Sequence, residues 1–350
     1  MGTVYNGTMK TIRVNMISET EFTVKGHGVH TAYVEITRAL ENNPRVCVAV
    51  NATGDFDIVH IQTMGFYSLR CLLRRGGKKV VSGHLVPESF LGSIRGAKHW
   101  AWAARRYLKF FYGKADLVLA CSGSVAKELR ENMHLTNCDI LYNSIDMSKY
   151  ECTEADRKAQ RKAQGIPEDA FVILGNGQLQ PRKRFDLFVQ LANERPEYRF
   201  IWVGGIPFGL LGDEAQKMKR LADDAPKNLT VTGVIDLEAV RPYYHCADAF
   251  WLPALQENHP MCVLEAAGAG LPIVLRDIPN YKDTFVGGAL MAQDDAGFAP
   301  LLDRLAQDAA YRHEWADRSK LIKERFDSKN AANRLIDFYE SLLDSCRDSS

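Results

Sequence analysis

The chain has 350 residues, 46% of them apolar and 25% charged, with a formal net charge of +1. That balance excludes a disordered chain, and the length suits two globular domains better than one core. No stretch approaches the roughly 18 uninterrupted apolar residues that span a bilayer. The start, MGTVYNGTMKTIRV, has neither a long apolar run nor a small-residue cleavage site, so no secretory leader is expected. Eight scattered cysteines (47, 71, 121, 138, 152, 246, 262 and 346) without CxxC pairs fit reduced thiols of a cytosolic protein and offer no metal centre. The net charge conceals an asymmetry. Residues 1–150 carry 19 Lys+Arg against 12 Asp+Glu, and the remainder carries 25 against 31. A basic first half fits an anionic partner, nucleic acid or acidic lipid being the usual ones.

Along the chain, short β-branched runs alternate with longer amphipathic segments. Strands are expected at 12–16, 46–51, 58–61, 79–83, 117–120 and 139–141, with helices such as 29–40 and 124–132 between them. The pattern restarts with strands at 172–175, 199–203, 229–232, 249–252 and 272–275. The intervening segment, 149–165, is charged and poor in large apolar residues, and reads as a linker. A final helix at 329–343 has no strand after it and is free to pack back across the hinge. Strands alternating with helices imply an α/β class with parallel sheets. The expected organisation is therefore two facing Rossmann-like domains, 1–148 and 166–328, a linker at 149–165 and a helix within 329–350. Open sheets of this kind bind ligands at the carboxyl ends of their strands, which here places the ligand in the cleft between domains.

In the first half, VKGHGVHTAY at 24–33 joins a strand to a helix. Gly26 and Gly28 permit close backbone approach to a ligand, although a tight turn alone would use the same residues. His84 follows a strand in VVSGHLVPESF and stands at the cleft. Residues 89–115 lack any acid and, read as a helix, form one stripe of Trp100, Ala103, Ala104, Tyr107 and Phe111 that faces the core. Lys98, Trp102, Arg105 and Lys109 lie opposite, with Arg106 beside them. A tryptophan among cations fits an interfacial helix on anionic lipid. No nucleic-acid module is present.

In the second half, ILGNGQLQPRKRF ends a strand and continues into a loop with Arg182, Lys183 and Arg184. Cations there suit a pyrophosphate, and a solvated basic loop would show the same composition. In FWLPALQENHPMCVLEAAGAGLPIVLRDIP, a helix expected to begin at Pro260 aims the N–H groups near Met261 and Cys262 at the cleft, where they suit a phosphate. Glu257 before that helix and Glu265 on it provide acceptors for sugar hydroxyls. A solvated loop acid and an early-helix acid would give the same spacing.

Glu257, seven residues, Glu265, then a small-residue helix and LPIV resemble the signature of retaining GT-B glycosyltransferases of the sucrose-synthase-like family. The resemblance extends over nearly the whole chain, including YNSID at 142–146. It implies that Glu257 contacts the transferred sugar, that Glu265 binds the nucleotide ribose, and that His84 lies beside donor sugar and acceptor. His84, Glu257 and Lys183 are then the catalytic set. Family members carry Arg after the glycine and Lys five residues later. This chain has Gln178 and Lys183 there, which makes Arg182 the substitute for the second cation. The segments VKGHGVHTAYVE, DIVHIQT, GHLVPESFLGS, GQLQPRKRFDLF, WVGGIPFG and VLRDIPNY are further similar to the diacylglycerol glucosyltransferases of Gram-positive bacteria, whereas ENHP at 257–260 departs from the usual ENEG or EGFG. The resemblance implies a metal-independent, cofactor-free enzyme that moves a hexose, glucose first, from a UDP-sugar to a lipid hydroxyl with retention. The acceptor is 1,2-diacylglycerol at the inner face of the plasma membrane. A capsular or exopolysaccharide transferase with a saccharide or polyprenyl-linked acceptor, a sugar-nucleotide epimerase on the same fold and a non-catalytic lipid- or nucleotide-binding protein are the alternatives.

Overall fold

The computed structural model describes residues 11–22, 28–84, 97–206 and 213–344, with side chains outside the description at 97–101 and 213–215. In the first half these residues form strands β1 (Ile12–Ile17), β2 (Val46–Val50), β3 (Ile58–Ile61), β4 (Lys78–Gly83), β5 (Leu117–Ala120) and β6 (Cys138–Ile140). Helices α1 (Gly28–Glu41), α2 (Phe66–Leu73), α3 (Ala97–Tyr112) and α4 (Gly123–Glu131) alternate with them. The second half contributes β7 (Val172–Asn176), β8 (Arg199–Val203), β9 (Leu229–Val231), β10 (Ala249–Leu252), β11 (Ile273–Arg276) and β12 (Leu290–Ala292). Its helices are α5 (Glu154–Ala163), α6 (Phe185–Glu194), α7 (Asp213–Asp223), α8 (Arg241–Cys246), α9 (Met261–Gly268), α10 (Phe298–Gln307), α11 (Ala309–Arg325) and α12 (Ser328–Asp344).

Two six-stranded sheets result, ordered β2-β1-β3-β4-β5-β6 and β12-β11-β10-β7-β8-β9. All pairs are parallel. Central strands covered on both faces, such as β7 (VILGN) and β10 (AFWL), are apolar at consecutive positions rather than alternate ones. In the second sheet Val172, Leu174, Phe250 and Leu252 enter one core, while Ile173, Ala249 and Trp251 enter the other. The second core is built on aromatic contacts: the Phe188 ring stacks on Trp251 at 4.8 Å and meets Trp202 edge-on at 5.0 Å.

The strand order positions the site. β7 lies between β8 and β10, so the chain leaves it in opposite directions and the loops after β7 and β10 part at their carboxyl ends. The last helix returns to the first sheet, where Leu335, Ile336 and Tyr339 are buried with Ile12, Val14 and Val80. Beside it the two chain crossings run together, since Ile145 N–H donates to Phe326 O (3.3 Å) and Ser328 N–H to Ile145 O (2.9 Å).

Two elements differ from expectation. Within 149–165 the chain forms α5, opened by a capping box between Thr153 and Asp156. Its charges are not all solvated: Arg161, almost fully buried, pairs with Asp248 at 2.6 Å, and Arg157 pairs with the same carboxylate. Strand β12 lacks a local signal, because three residues are too short a run to show periodicity and only β11 defines them as a strand.

Candidate active site

The carboxyl ends of β7 and β10 face the first sheet across a cleft of about 630 Å³, lined by Gly28, Thr31 and His84 on one side and Lys183, Glu257 and Glu265 on the other. Two glycines shape the second-domain wall. A Cβ on Gly204, whose φ is +127°, would stand 2.2 Å from the Gly177 carbonyl oxygen, so the β7 and β8 loops run together only with glycine there. Gly177 N–H donates to Val203 O and Leu179 N–H to Gly205 O, both at 2.9 Å. A side chain on Gly177 would meet the Lys183 stem at 3.0 Å, so the missing Cβ is the space along which that lysine lies.

Lys183 and Arg182 both pair with one oxygen of Glu257, Nζ at 2.6 Å and Nη1 at 2.5 Å from Oε1. Burial opposes ionisation of Glu257, but the two cations outweigh it and hold its carboxyl below the ordinary range. Gln178 lines the cleft without a charge of its own. Its Oε1 accepts from Gln180 Nε2 at 3.0 Å, and Gln180 Oε1 accepts from Arg182 Nε at 2.9 Å. The cluster thus brings Gln178, Arg182, Lys183 and Glu257 together. Sequence reasoning named these four but not Gln180, whose amide connects them.

Glu265 is buried. Tyr244 Oη donates to its Oε2 at 2.6 Å and Asn176 Nδ2 at 3.1 Å. Burial raises its carboxyl to about 7, with the Glu35 charge pushing the same way and the hydrogen bonds opposing. Asn176 and Tyr244 were not foreseen. The position of Asn176 at the last residue of β7 was the available signal, whereas Tyr244 comes from an unrelated helix.

Met261 and Cys262 occupy the first turn of α9 and line the cleft, with Pro260 as an extended N-cap rather than the first helical residue. The first N–H groups of a helix lack intrahelical acceptors and favour an anion. Burial pushes the Cys262 thiol up to about 12, so it stays protonated and is no nucleophile. His84 lies just past β4, and its carbonyl accepts from Asn258 Nδ2 at 3.0 Å, tying the two cleft walls. Gly28 opens α1, with nothing within 4 Å of where its Cβ would stand. Gly26 lies outside the described residues.

His259, in the ENHP segment, does not join this polar set. Its ring stacks on Phe285 at 5.2 Å and meets Phe326 edge-on at 4.6 Å, and neither nitrogen has a hydrogen-bond partner. Burial, with Arg325 nearby, lowers its pKa to about 3. The native state therefore keeps the ring neutral while the unfolded chain protonates near 6.5. Stability from this site is present above pH 6.5 and is lost as pH falls toward 3. His259→Phe fills the same aromatic site and removes both unpaired nitrogens, and should raise stability by about 1–3 kcal/mol at neutral pH. The gain should grow as pH falls from 6.5, by up to about 1.4 kcal/mol per unit. Denaturant melts at pH 5 and 7.5 measure it, and an equal or lower midpoint in the variant would contradict the assignment.

On α3 the buried face is Leu108, Phe111 and Tyr112. Tyr107, expected in the core, is exposed and donates its hydroxyl to Met64 O at 2.6 Å. Of the expected stripe Phe111 is buried and Ala103 and Ala104 are half-buried, while Tyr107 lies at its edge because Leu108 and Tyr112 fill the core beside Phe111. The side chain of Trp100 lies outside the described residues. Trp102 is 68% exposed, and Arg105, Arg106 and Lys109 are exposed with it. Arg105 donates to the Asn132 carbonyl at the C-terminal end of α4, a helix-capping contact that makes it less available than its neighbours. The side chain of Lys98 lies outside the described residues.

Residues 156–321 match the family Glycosyl transferases group 1, and residues 20–149 match Glycosyltransferase Family 4. The alpha-galactosylglucosyldiacylglycerol synthase of Streptococcus pneumoniae is 29% identical over 339 residues, covering 95% of this chain and 90% of that protein. The processive diacylglycerol alpha-glucosyltransferase of Acholeplasma laidlawii is 28% identical, covering 78% of this chain and 81% of that one. Among solved structures, Anabaena HepE in complex with UDP-glucose superposes with a TM-score of 0.77 at 15% identity, over 94% of this chain and all of that one. A sucrose-phosphate synthase from Thermosynechococcus elongatus gives 0.77 at 15%, over 95% and 100%. Two parallel six-stranded sheets facing across one cleft are the fold of these structures. With its two halves matched to two glycosyltransferase families and its sheets superposing on these structures, the chain is a glycosyltransferase of the GT-B fold.

Proposed function

We propose that this glycosyltransferase moves a hexose, glucose first, from a UDP-sugar to the hydroxyl of a diacylglycerol-type lipid at an anionic membrane surface, without a metal or cofactor. The observation that carries the donor side is the paired cluster Arg182–Glu257–Lys183 beside the start of α9. In this reading Arg182, Lys183 and the α9 N–H groups hold the diphosphate, Glu265 accepts from the ribose, Glu257 accepts from the sugar hydroxyls, and His84 lies at the acceptor. Cations fixed where the leaving phosphate gains charge lower the barrier most when water is excluded. No carboxylate is assigned as a covalent nucleophile. The departing phosphate takes the acceptor proton on the face where the new bond forms, so the anomeric configuration is retained. The alpha products named for the two relatives agree with net retention from an α-linked donor.

The acceptor side rests on those relatives, both named for diacylglycerol glycolipids, and on the exposed Trp102, Arg106 and Lys109 face of α3. Among the described residues no helix is long and apolar enough to cross a membrane. The proposal is therefore peripheral binding at the cytoplasmic face. Anionic lipid contributes about 1 kcal/mol per nearby cation, so Arg106→Glu with Lys109→Glu should reduce vesicle binding by roughly thirtyfold or more. Sedimentation with phosphatidylglycerol vesicles measures binding, and radiolabelled UDP-glucose with diacylglycerol in the same vesicles measures transfer. Salt should mimic the variant, because exposed charges are screened within about 10 Å at 0.1 M. Wild-type protein that ignores anionic vesicles yet glycosylates a soluble or polyprenyl-linked saccharide would replace the lipid with that acceptor.

A further inference from the structure

Several polar clusters lie outside the roles assigned above, among them the His60–Tyr339–Ser82 contacts and the Asp283 bridge to Gly123 and Tyr142. The cluster at the donor site differs from these, because its pairing conflicts with its use. Arg182 and Lys183 offer a diphosphate little net charge while both neutralise Glu257, and Glu257 Oε1 has no lone pair left for a sugar hydroxyl while it takes two cations. We propose that Glu257 is a holding counter-ion: the incoming diphosphate takes Arg182 and Lys183 from its Oε1, and this exchange frees the carboxylate for the sugar. The proposal rests on the nucleotide-sugar reading of the cleft.

The geometry defines what the exchange must move. Arg182 is fixed at its backbone, where Leu255 N–H donates to its carbonyl at 2.8 Å, and at Nε, where Gln180 accepts at 2.9 Å. The planar guanidinium turns as a unit, so Nη1 leaves Glu257 and the Gln256 carbonyl (2.9 Å) together, while the Gln180 amide can follow Nε and keep the fork beside the cleft. Lys183 runs along the open side of Gly177 and reaches either partner by turning its terminal bonds. Two cations against one carboxylate leave the cluster a net positive charge, so a diphosphate with at least two negative charges is the stronger partner for both. The side chain that positions the sugar is then released only when the correct anion has arrived.

The consequence is opposite to that of a plain binding residue. Removing the charge of Glu257 should tighten UDP binding while transfer falls. Isothermal calorimetry of the full chain with UDP is the test, in wild type and Glu257→Gln. Each charge-assisted contact no longer surrendered corresponds to an affinity gain of about tenfold, so the two together allow up to about a hundredfold. The same comparison between Arg182→Ala and the double variant Arg182→Ala with Glu257→Gln should show a smaller gain, since one cation is left to hand over. This pair also covers the case in which two uncompensated cations prevent the single variant from folding. Unchanged or weaker UDP binding from the Glu257 substitution in both backgrounds, with wild-type melting behaviour, would overturn the exchange while leaving UDP as donor. Failure of wild-type protein to bind UDP at all would instead remove the nucleotide reading and the exchange with it.

Discussion

Lys183→Ala is expected to weaken UDP binding ten- to a hundredfold and to bring transfer close to background. The lysine is buried at the carboxyl end of β7, and its ammonium stands 2.6 Å from Glu257 across the cleft wall that α9 enters. A charge-assisted contact to a ligand is worth about 1.5–3 kcal/mol, which sets the binding loss. Catalysis loses more, because charge builds on the leaving phosphate in the transition state. Removing one fixed donor from such a position costs about 2.7–4 kcal/mol in rate, or a hundred- to a thousandfold. Stability should change little, since Glu257 keeps Arg182 as its partner. Calorimetry with UDP and radiolabelled transfer assays read the two effects separately. Wild-type UDP affinity in the variant would show that Lys183 serves Glu257 alone and never meets the donor.

Glu265→Gln should move stability and binding in opposite directions. The wild-type carboxyl titrates at about 7 in the folded protein against an ordinary value of 4.5, because burial penalises the charge. A raised carboxyl pKa stabilises the fold fully below pH 4.5, and that contribution is lost as pH rises through 7. Above pH 7 the ionised group costs the native state about 3 kcal/mol, from a shift of some 2.5 units at about 1.4 kcal/mol each. The glutamine amide accepts from Tyr244 and Asn176 without a charge, so the variant should be more stable by about that amount at pH 8 and nearly equal to wild type at pH 4.5. UDP binding should do the reverse. If ribose hydroxyls donate to the carboxylate, wild-type affinity rises with pH through about 7, whereas the variant binds weakly at every pH. Denaturant unfolding and UDP titration at pH 5.5, 7 and 8.5 give both curves. A pH-independent stability difference would place the charge of Glu265 in water, and a pH-independent wild-type affinity would take it off the ribose. Stability surrendered for a buried functional charge is a familiar trade at binding sites.

Much of this protein was legible in its sequence, for reasons that are local. Strands β3, β5, β8 and β10 have the expected bounds, because a strand buried on both faces is a short apolar run that stands out against helical periodicity. The alternation of strand and helix determined two parallel sheets, and the strand ends expected at Gly175 and Leu252 determined that Lys183, Glu257 and Glu265 face one cleft. Partner choice was decided by tertiary structure alone. Arg182 and Lys183 converge on the same oxygen of Glu257 from 75 and 74 positions away in the chain, and no spacing rule encodes that. Whether a charge is solvated is equally non-local: Arg161 looks like a linker charge until Asp248 arrives from the bend before β10. His259 stands in the most informative motif of the sequence, yet its ring enters an aromatic core formed by Phe285 and Phe326. The core face of α3 depends likewise on which of its apolar residues the first sheet accepts: Phe111 enters as expected, joined by Leu108 and Tyr112, while Tyr107 stays exposed. Local propensity sets the elements, and burial, which depends on what comes from elsewhere in the chain, sets the chemistry of each side chain.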